Sequence, residues 1–191
     1  MLEQMTHPIR DNNTSHENKL RPNIMLLVAD DLGYSDLNLY GGEISTPNIQ
    51  SLAAEGIMFT NFHALPACSP TRATLLTGVD NHHAGLGSMV GRLAPNQVGQ
   101  PGYETYLNDL VVTIATLLKD AGYHTYIAGK WHLGKQAGYV PCDRGFEQAF
   151  TLLEGAASHY THMGYTPAIP VASYRHNDKI VNLPEGFYSA I

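Results

Sequence analysis

The chain has 191 residues, of which 43% are apolar and 15% charged, and 17 acidic side chains against 11 basic ones give a formal charge of −6. This composition supports a folded core and excludes a globally disordered chain. The acidic balance argues against nucleic-acid binding, which requires clustered Lys and Arg. With two cysteines beside ten histidines, neither a disulfide framework nor a Cys-rich zinc site is expected.

Residues 1–22 are polar and predict a flexible, solvated tail. They lack the apolar stretch of about 7–15 residues that a secretory signal needs. No part of the chain approaches the run of about 20 apolar residues that crosses a membrane. We therefore expect a cytoplasmic protein without membrane contact, and the periplasm is the alternative if the start of the chain is misassigned.

Strand and helix signals alternate from residue 23 onwards. The continuous apolar run at residues 24–29 predicts a strand buried on both faces, and residues 57–62 predict a second strand. Between them Thr46 is a candidate N-cap before Pro47, and Gly56 is a candidate end of the same helix.

The same alternation continues after residue 62. Pro70 predicts the start of a helix capped by Ser69, and Thr113 predicts the cap of another helix, before a strand at residues 124–128. This order predicts an α/β fold with a mostly parallel central sheet flanked by helices on both faces. From about residue 155, Gly, Pro, Ser and Tyr predict a long surface excursion rather than packed elements.

Polar side chains follow two of the predicted strands, at the carboxyl ends where α/β sheets form sites. Asp30 and Asp31 follow the first strand, and Lys130 and His132 follow the strand at residues 124–128. Two adjacent carboxylates supply the oxygen ligands that a hard cation takes; the alternative is a solvated acidic loop or a helix cap. Trp131 is predicted to pack beneath this strand end rather than to bind substrate.

Cys68 lies at the predicted start of a helix, with Arg72 one turn further on. Free N–H groups and the dipole at a helix N-terminus attract anions, and a thiol there is acidified. The alternative is a buried structural cysteine beside a capped helix. Cys142 lacks Pro and Arg at the same offsets and is predicted to be an ordinary thiol.

Residues 68–72, Cys-Ser-Pro-Thr-Arg, resemble the Cys-x-Pro-x-Arg signature of the formylglycine-dependent sulfatases, a family of the alkaline phosphatase superfamily. Three further segments resemble that family in the same order. Residues 23–34 are similar to its opening strand and metal-binding aspartates, residues 46–56 to its first helix, and residues 121–134 to its second catalytic segment. The likeness extends from about residue 21 to residue 150 and is closest to bacterial arylsulfatases.

The resemblance implies a nucleophile made from Cys68, which a separate maturation enzyme would oxidise to formylglycine. One hydroxyl of the hydrated aldehyde would attack the sulfur of a small-molecule sulfate ester, and deprotonation of the second would release sulfate. Asp30 and Asp31, together with the modified Cys68, would bind calcium, with magnesium as the alternative ion.

The resemblance also assigns roles to the remaining residues of the two matching segments. Arg72 would hold the formylglycine hydroxyl, Lys130 would contact the sulfate, and His132 would assist the nucleophile or the collapse of the intermediate. The predicted activity is therefore that of a sulfuric ester hydrolase of the arylsulfatase type. A phosphonate or phosphate monoester hydrolase of the same superfamily and a non-catalytic truncated remnant are the alternatives.

Members of this family have several hundred residues, and a downstream Asp-Asn pair completes their metal site. No convincing equivalent follows His132; Asn177-Asp178 has the reversed order. Residues 23–191 are therefore expected to be the N-terminal part of a sulfatase catalytic domain, with a sheet truncated on its C-terminal side.

Overall fold

The computed structural model describes residues 21–89 and 91–181, so most of the predicted tail at residues 1–22 lies outside the described residues. The chain divides into two compact units, Met1–Glu55 and Gly56–Ile191. Among the described residues, none of the helices combines the length and the apolar character that a membrane crossing requires.

The described part of the first unit, from residue 21 onwards, contains one α-helix, α1 (Pro47–Glu55), and two short 3-10 turns, Tyr34–Asp36 and Asn38–Tyr40. The helix begins where its sequence predicts. The Thr46 carbonyl accepts the first helical hydrogen bond from the Gln50 N–H at 3.0 Å, and proline occupies the first helical position. The Thr46 hydroxyl itself accepts a hydrogen bond from the Asn38 N–H at 3.3 Å, so the backbone bond and the proline mark the start of α1.

The predictions of strands at residues 24–29 and 57–62 are wrong for the described chain, which forms no strand in either segment. The apolar side chains of both segments are exposed, as Met25 (84%) and Phe62 (75%) illustrate. An apolar run becomes a strand only when a neighbouring strand satisfies its N–H and C=O groups, and no ladder partner is described for either segment.

Among its described residues, the second unit contains two α-helices, α2 (Cys68–Thr77) and α3 (Ile114–Asp120), and a 3-10 turn, Pro141–Arg144. The prediction that Ser69 caps α2 is wrong, because the N-cap is Ala67 and Ser69 is buried inside the first turn. Helix α2 ends at Gly78, which adopts φ 72° and donates its N–H to the Thr74 carbonyl at 2.8 Å.

The prediction that Thr113 caps α3 is confirmed. The Thr113 hydroxyl accepts a hydrogen bond from the Thr116 N–H at 3.3 Å. The same hydroxyl donates to the Arg144 carbonyl, so the cap also joins α3 to the 3-10 turn Pro141–Arg144. Thr113 is buried, and this second bond provides an acceptor for its hydroxyl hydrogen.

The described part of the second unit has six strands: β1 (Tyr126–Lys130), β2 (Gln148–Leu152), β3 (Met163–Thr166), β4 (Ile169–Val171), β5 (Tyr174–His176) and β6 (Lys179–Ile180). Four of them form a mixed sheet with the order β1-β2-β5-β6, and β3 and β4 form a separate hairpin. Strands β1 and β2 are parallel, whereas β5 pairs antiparallel with both β2 and β6. The α/β class is confirmed.

The segment predicted as a surface excursion from about residue 155 lies largely at the surface, as expected. The expectation that it contains no packed elements is wrong, because it includes the β3–β4 hairpin.

Trp131 anchors the chain immediately after β1, and its side chain is only 1% exposed. Its backbone N–H donates to the Leu152 carbonyl at 2.8 Å, and its indole N–H donates to the Tyr139 carbonyl at 2.9 Å. Phe146 packs edge-to-face on the indole, with ring centroids 6.2 Å apart. The predicted packing role of Trp131 is confirmed, and it fixes the backbone between Lys130 and His132.

Candidate active site

Cys68 is the first residue of α2 and is partly buried. Its Sγ lies 3.3 Å from Nδ1 of His132 and 3.4 Å from Sδ of Met89. The thiol therefore lies where three segments meet: the start of α2, the loop that follows it, and the chain after β1. Neither the motif nor its spacing predicts the contact with Met89.

His132 makes a second contact, with a hydroxyl group, that its sequence motif does not predict. The Ser69 Oγ lies 3.1 Å from the same Nδ1, and both residues are buried. His132 also has a left-handed backbone, with φ 60°, which a residue other than glycine rarely adopts. Such strained backbone occurs preferentially at functional sites.

The imidazole of His132 packs directly against the backbone of Gly155. A Cβ atom added to Gly155 would lie 2.5 Å from Cε1 and 2.8 Å from Nε2 of His132. Only glycine leaves room for the ring in this position. Sequence reasoning placed Gly155 at the start of a surface excursion, and no local pattern marks its contact with a residue 23 positions earlier.

Arg72 joins α2 to the end of β1. Its Nη1 donates a hydrogen bond to the Lys130 carbonyl at 2.8 Å, and both residues are partly buried. Together with the Cys68–His132 contact, this bond brings the four predicted catalytic residues of the second unit together. Two permanent cations and the N-terminus of α2 make this part of the unit suited to an anion.

A partly buried ion pair joins the chain after His132 to the chain after β2. Lys135 Nζ lies 2.8 Å from Oε1 of Glu154, which is 3% exposed, and the Ser173 hydroxyl and N–H donate to the same carboxylate at 2.6 and 2.8 Å. Burial raises the pKa of Glu154, but these hydrogen bonds lower it more, so the pKa lies below its usual value. A cavity of about 80 Å³ beside the pair is lined by Thr105, His132, Gly134, Lys135, Gln136 and Leu153.

Asp30 and Asp31 lie in the first unit, on an exposed turn at which Asp31 adopts φ 57°. Their carboxylate oxygens are the kind of ligand that calcium prefers. Calcium takes six to eight oxygens, however, and the described part of the chain has no group of three or more His, Cys, Asp or Glu residues that could hold a metal. The pair fits one part of a calcium site.

Cys142 differs from Cys68 in its surroundings. Its Sγ lies 3.8 Å from Oδ1 of Asn177. Burial, followed by the negative charges of Asp178 and Asp143, raises the pKa of the Cys142 thiol. This thiol therefore stays protonated at neutral pH and is a poor nucleophile.

Comparison with known proteins supports one family. The family model described as Sulfatase matches residues 22–185. An uncharacterized sulfatase of Schizosaccharomyces pombe is 47% identical over 180 residues, covering 89% of this chain and 32% of that protein. An arylsulfatase of Klebsiella aerogenes is 42% identical over 177 residues, covering 89% of this chain and 37% of that protein.

A solved structure agrees with these relatives. The crystal structure of Ps i-CgsB superimposes with a TM-score of 0.71 at 31% identity, over 87% of this chain and 38% of that one. The chain spans about a third of the length of the curated relatives that it matches. Because the family match covers most of its residues, this chain belongs to the sulfatase family.

Proposed function

We propose that the protein hydrolyses sulfate monoesters of the arylsulfatase type, with a nucleophile derived from Cys68. The contact between Cys68 and His132 carries the proposal: Sγ lies 3.3 Å from Nδ1, next to the bond between Arg72 and Lys130. A nucleophile precursor within hydrogen-bond reach of a base, in a region that also carries an arginine and a lysine, is an arrangement suited to ester hydrolysis of an anionic substrate.

Cys68 is suited to conversion into formylglycine, since it is partly exposed and is the first residue of a helix. One hydroxyl of the hydrated aldehyde would attack sulfur while the bond from sulfur to the alcohol oxygen breaks and the alcohol leaves. Loss of the proton from the second hydroxyl would then break the C–O bond to the sulfate, which releases sulfate and restores the aldehyde. His132 Nδ1 is positioned to hold the proton of the group at position 68. Ser69 and Gly155 keep the imidazole in place for that transfer.

Arg72 and Lys130 would bind the sulfate group. A sulfate monoester is an anion, and two cations near the N-terminus of α2 lower the free energy of its bound form and of the charge that develops on the leaving oxygen. The bond from Arg72 to the Lys130 carbonyl joins helix α2 to the strand that carries Lys130.

Asp30 and Asp31 would supply two of the carboxylate ligands of a calcium ion, with magnesium as the alternative. Calcium would add positive charge that polarises the substrate. Removal of calcium with a chelator is therefore expected to lower turnover, and Asp30→Asn is expected to weaken calcium binding. Asp120→Asn is the matched control, since Asp120 is an exposed carboxylate at the end of α3 in the other unit.

The test is turnover of an aryl sulfate and an aryl phosphonate by the full chain, produced together with a formylglycine-generating maturation enzyme. Mass spectrometry of the Cys68 peptide measures the converted fraction. We expect the converted chain to release aryl alcohol from the sulfate, Cys68→Ala to abolish this release, and Cys142→Ala to retain it.

Two results would contradict the proposal. Faster turnover of the aryl phosphonate would indicate a phosphonate or phosphate monoester hydrolase instead. A fully converted, calcium-loaded chain without activity towards either ester would indicate a non-catalytic remnant.

A further inference from the structure

Three side chains with soft or borderline donor atoms converge at position 68. The Cys68 Sγ lies 3.4 Å from the Met89 thioether sulfur and 3.3 Å from Nδ1 of His132. They come from the start of α2, the loop after it and the chain after β1, so their meeting is a product of the fold. The methionine in this set has no part in ester hydrolysis as proposed above.

We propose that the chain, before Cys68 is converted, binds a monovalent copper ion through Cys68, Met89 and His132. Thiolate and thioether sulfurs select soft ions, and imidazole also suits copper. The inference rests on the proposed function only in that it concerns the unconverted form of the same residue. It does not depend on catalysis.

Both contacts of Cys68 are compatible with an ion shared between their two donor atoms. With metal bond lengths of about 2.3 Å to sulfur and about 2.0 Å to nitrogen, as for zinc, contacts of this length correspond to bond angles of about 95° at the sulfur pair and about 100° between sulfur and nitrogen. Each of the two contacts needs to open by only a few tenths of an ångström to approach a tetrahedral angle. Met89 and Cys68 are both partly buried, so the ion would be shielded from most of the solvent.

The donor set distinguishes copper from other ions. Zinc sites use Cys, His, Asp and Glu, and a thioether adds little to them. Calcium and magnesium take oxygen ligands and would not bind here. Because the proposal includes Met89 as a ligand, loss of the thioether should weaken copper binding and leave zinc binding almost unchanged.

Copper would compete with the hydroxyl that contacts the same ring atom. Nδ1 has one lone pair, so an ion on it replaces the contact with Ser69 Oγ. Conversion of Cys68 to formylglycine replaces the thiol sulfur with oxygen and removes the softest ligand. Copper binding and conversion are therefore mutually exclusive, and bound copper would protect Cys68 from conversion.

The test is anaerobic titration of the full, unconverted chain with Cu(I) in the presence of a chromophoric Cu(I) chelator. We expect one ion per chain, with its affinity lowered at least tenfold by Met89→Leu and lost in Cys68→Ser. Cys142→Ser is the matched control, since it removes the other thiol, and its copper affinity should equal that of the parent chain. Thermal melting of each variant checks that the fold is retained.

X-ray absorption at the copper edge tests the ligand set directly. Two sulfur neighbours and one nitrogen neighbour are expected, with one sulfur neighbour fewer in Met89→Leu. The proposal is overturned if Met89→Leu binds copper as tightly as the parent chain, or if Cys142→Ser rather than Cys68→Ser loses it. Binding of Zn²⁺ as tight as that of Cu(I) would overturn the choice of metal.

Discussion

At the scale of single residues, the site depends on small side chains around one imidazole. Ser69 contacts Nδ1 of His132, while Gly155 leaves space for the far side of the ring, from Cε1 to Nε2. Neither residue carries chemistry of its own in the proposed reaction. Their contribution is the position of His132, which must lie within hydrogen-bond reach of residue 68 for proton transfer.

Gly155→Ala tests this dependence on size. The new Cβ would approach Cε1 of His132 to 2.5 Å, a distance that real structures do not tolerate, so the ring must move. We expect the variant to lower kcat of the converted enzyme at least tenfold, since small displacements of a catalytic group are costly. Overpacking should also lower the free energy of unfolding by about 1–3 kcal/mol.

A double-mutant cycle provides the control for this variant. In a His132→Ala background the added methyl group no longer meets the ring, so Gly155→Ala should cost much less stability there. An equal loss of stability in both backgrounds, measured by denaturant unfolding, would place the effect in the backbone of residue 155 instead.

At the scale of secondary-structure elements, local signals predicted the helices well. Thr46 before Pro47, and Thr113 before Ile114, are capping patterns that act within one turn, and both helices begin there. Strands depend on partners distant in sequence. The run at residues 24–29 therefore forms no strand in the described chain, whereas β5 (Tyr174–His176), for which no strand was predicted, forms one by pairing with β2.

The same contrast between local motifs and contacts distant in sequence applies to the candidate site. Cys68, Arg72, Lys130 and His132 were recognisable because each belongs to a short motif, and the structure brings them together. Contacts that join separate segments were not predictable. Ser69 has the sequence position of a cap, but burial against His132 decides its role.

Glu154 joins three segments of the sheet through its hydrogen bonds, and the pH dependence of stability tests how much these bonds contribute. Its carboxylate follows β2 and accepts hydrogen bonds from Lys135, after β1, and from Ser173, before β5. Because these bonds keep the pKa of Glu154 below its unfolded value of about 4.3, their contribution to stability is fully present above that pH. It is lost as the pH falls through the folded-state pKa.

We therefore expect Glu154→Gln to lower the free energy of unfolding at pH 7 by about 2 kcal/mol, a value kept modest because Lys135 is 40% exposed. The difference between the two proteins should shrink as the pH is lowered below about 4. Glu147→Gln is the control, because Glu147 pairs with His124 at an exposed position. A difference independent of pH, or a similar loss in Glu147→Gln, would contradict this role.

At the scale of the whole molecule, the described chain exposes more large apolar side chains than a monomeric soluble protein usually does. Many of these side chains belong to two runs, at residues 24–29 in the first unit and at residues 57–62 in the second. Other exposed apolar residues, such as Leu110, lie outside both runs. Contiguous apolar patches of this kind promote association. The most exposed members of the two runs are Met25 (84%), Leu27 (75%), Ile57 (84%), Phe59 (68%) and Phe62 (75%).

The 191-residue chain is therefore expected to self-associate. The segment at residues 57–62 should contribute, since its two aromatic rings are exposed and lie near each other, with centroids 6.4 Å apart. Burial of an aromatic side chain contributes about 1.5–3 kcal/mol. Replacement of Phe59 and Phe62 by serine should thus raise the dissociation constant in sedimentation velocity by at least about tenfold, which corresponds to about 1.4 kcal/mol.

Leu110→Ser separates a specific surface from general hydrophobicity. Leu110 is 86% exposed, as much as any residue of the two runs, yet it lies outside them. If association depends on the segment at residues 57–62, Leu110→Ser should leave the dissociation constant unchanged. If the single leucine and the two phenylalanines have the same effect per side chain, association follows total apolar exposure, and the segment has no special part in it.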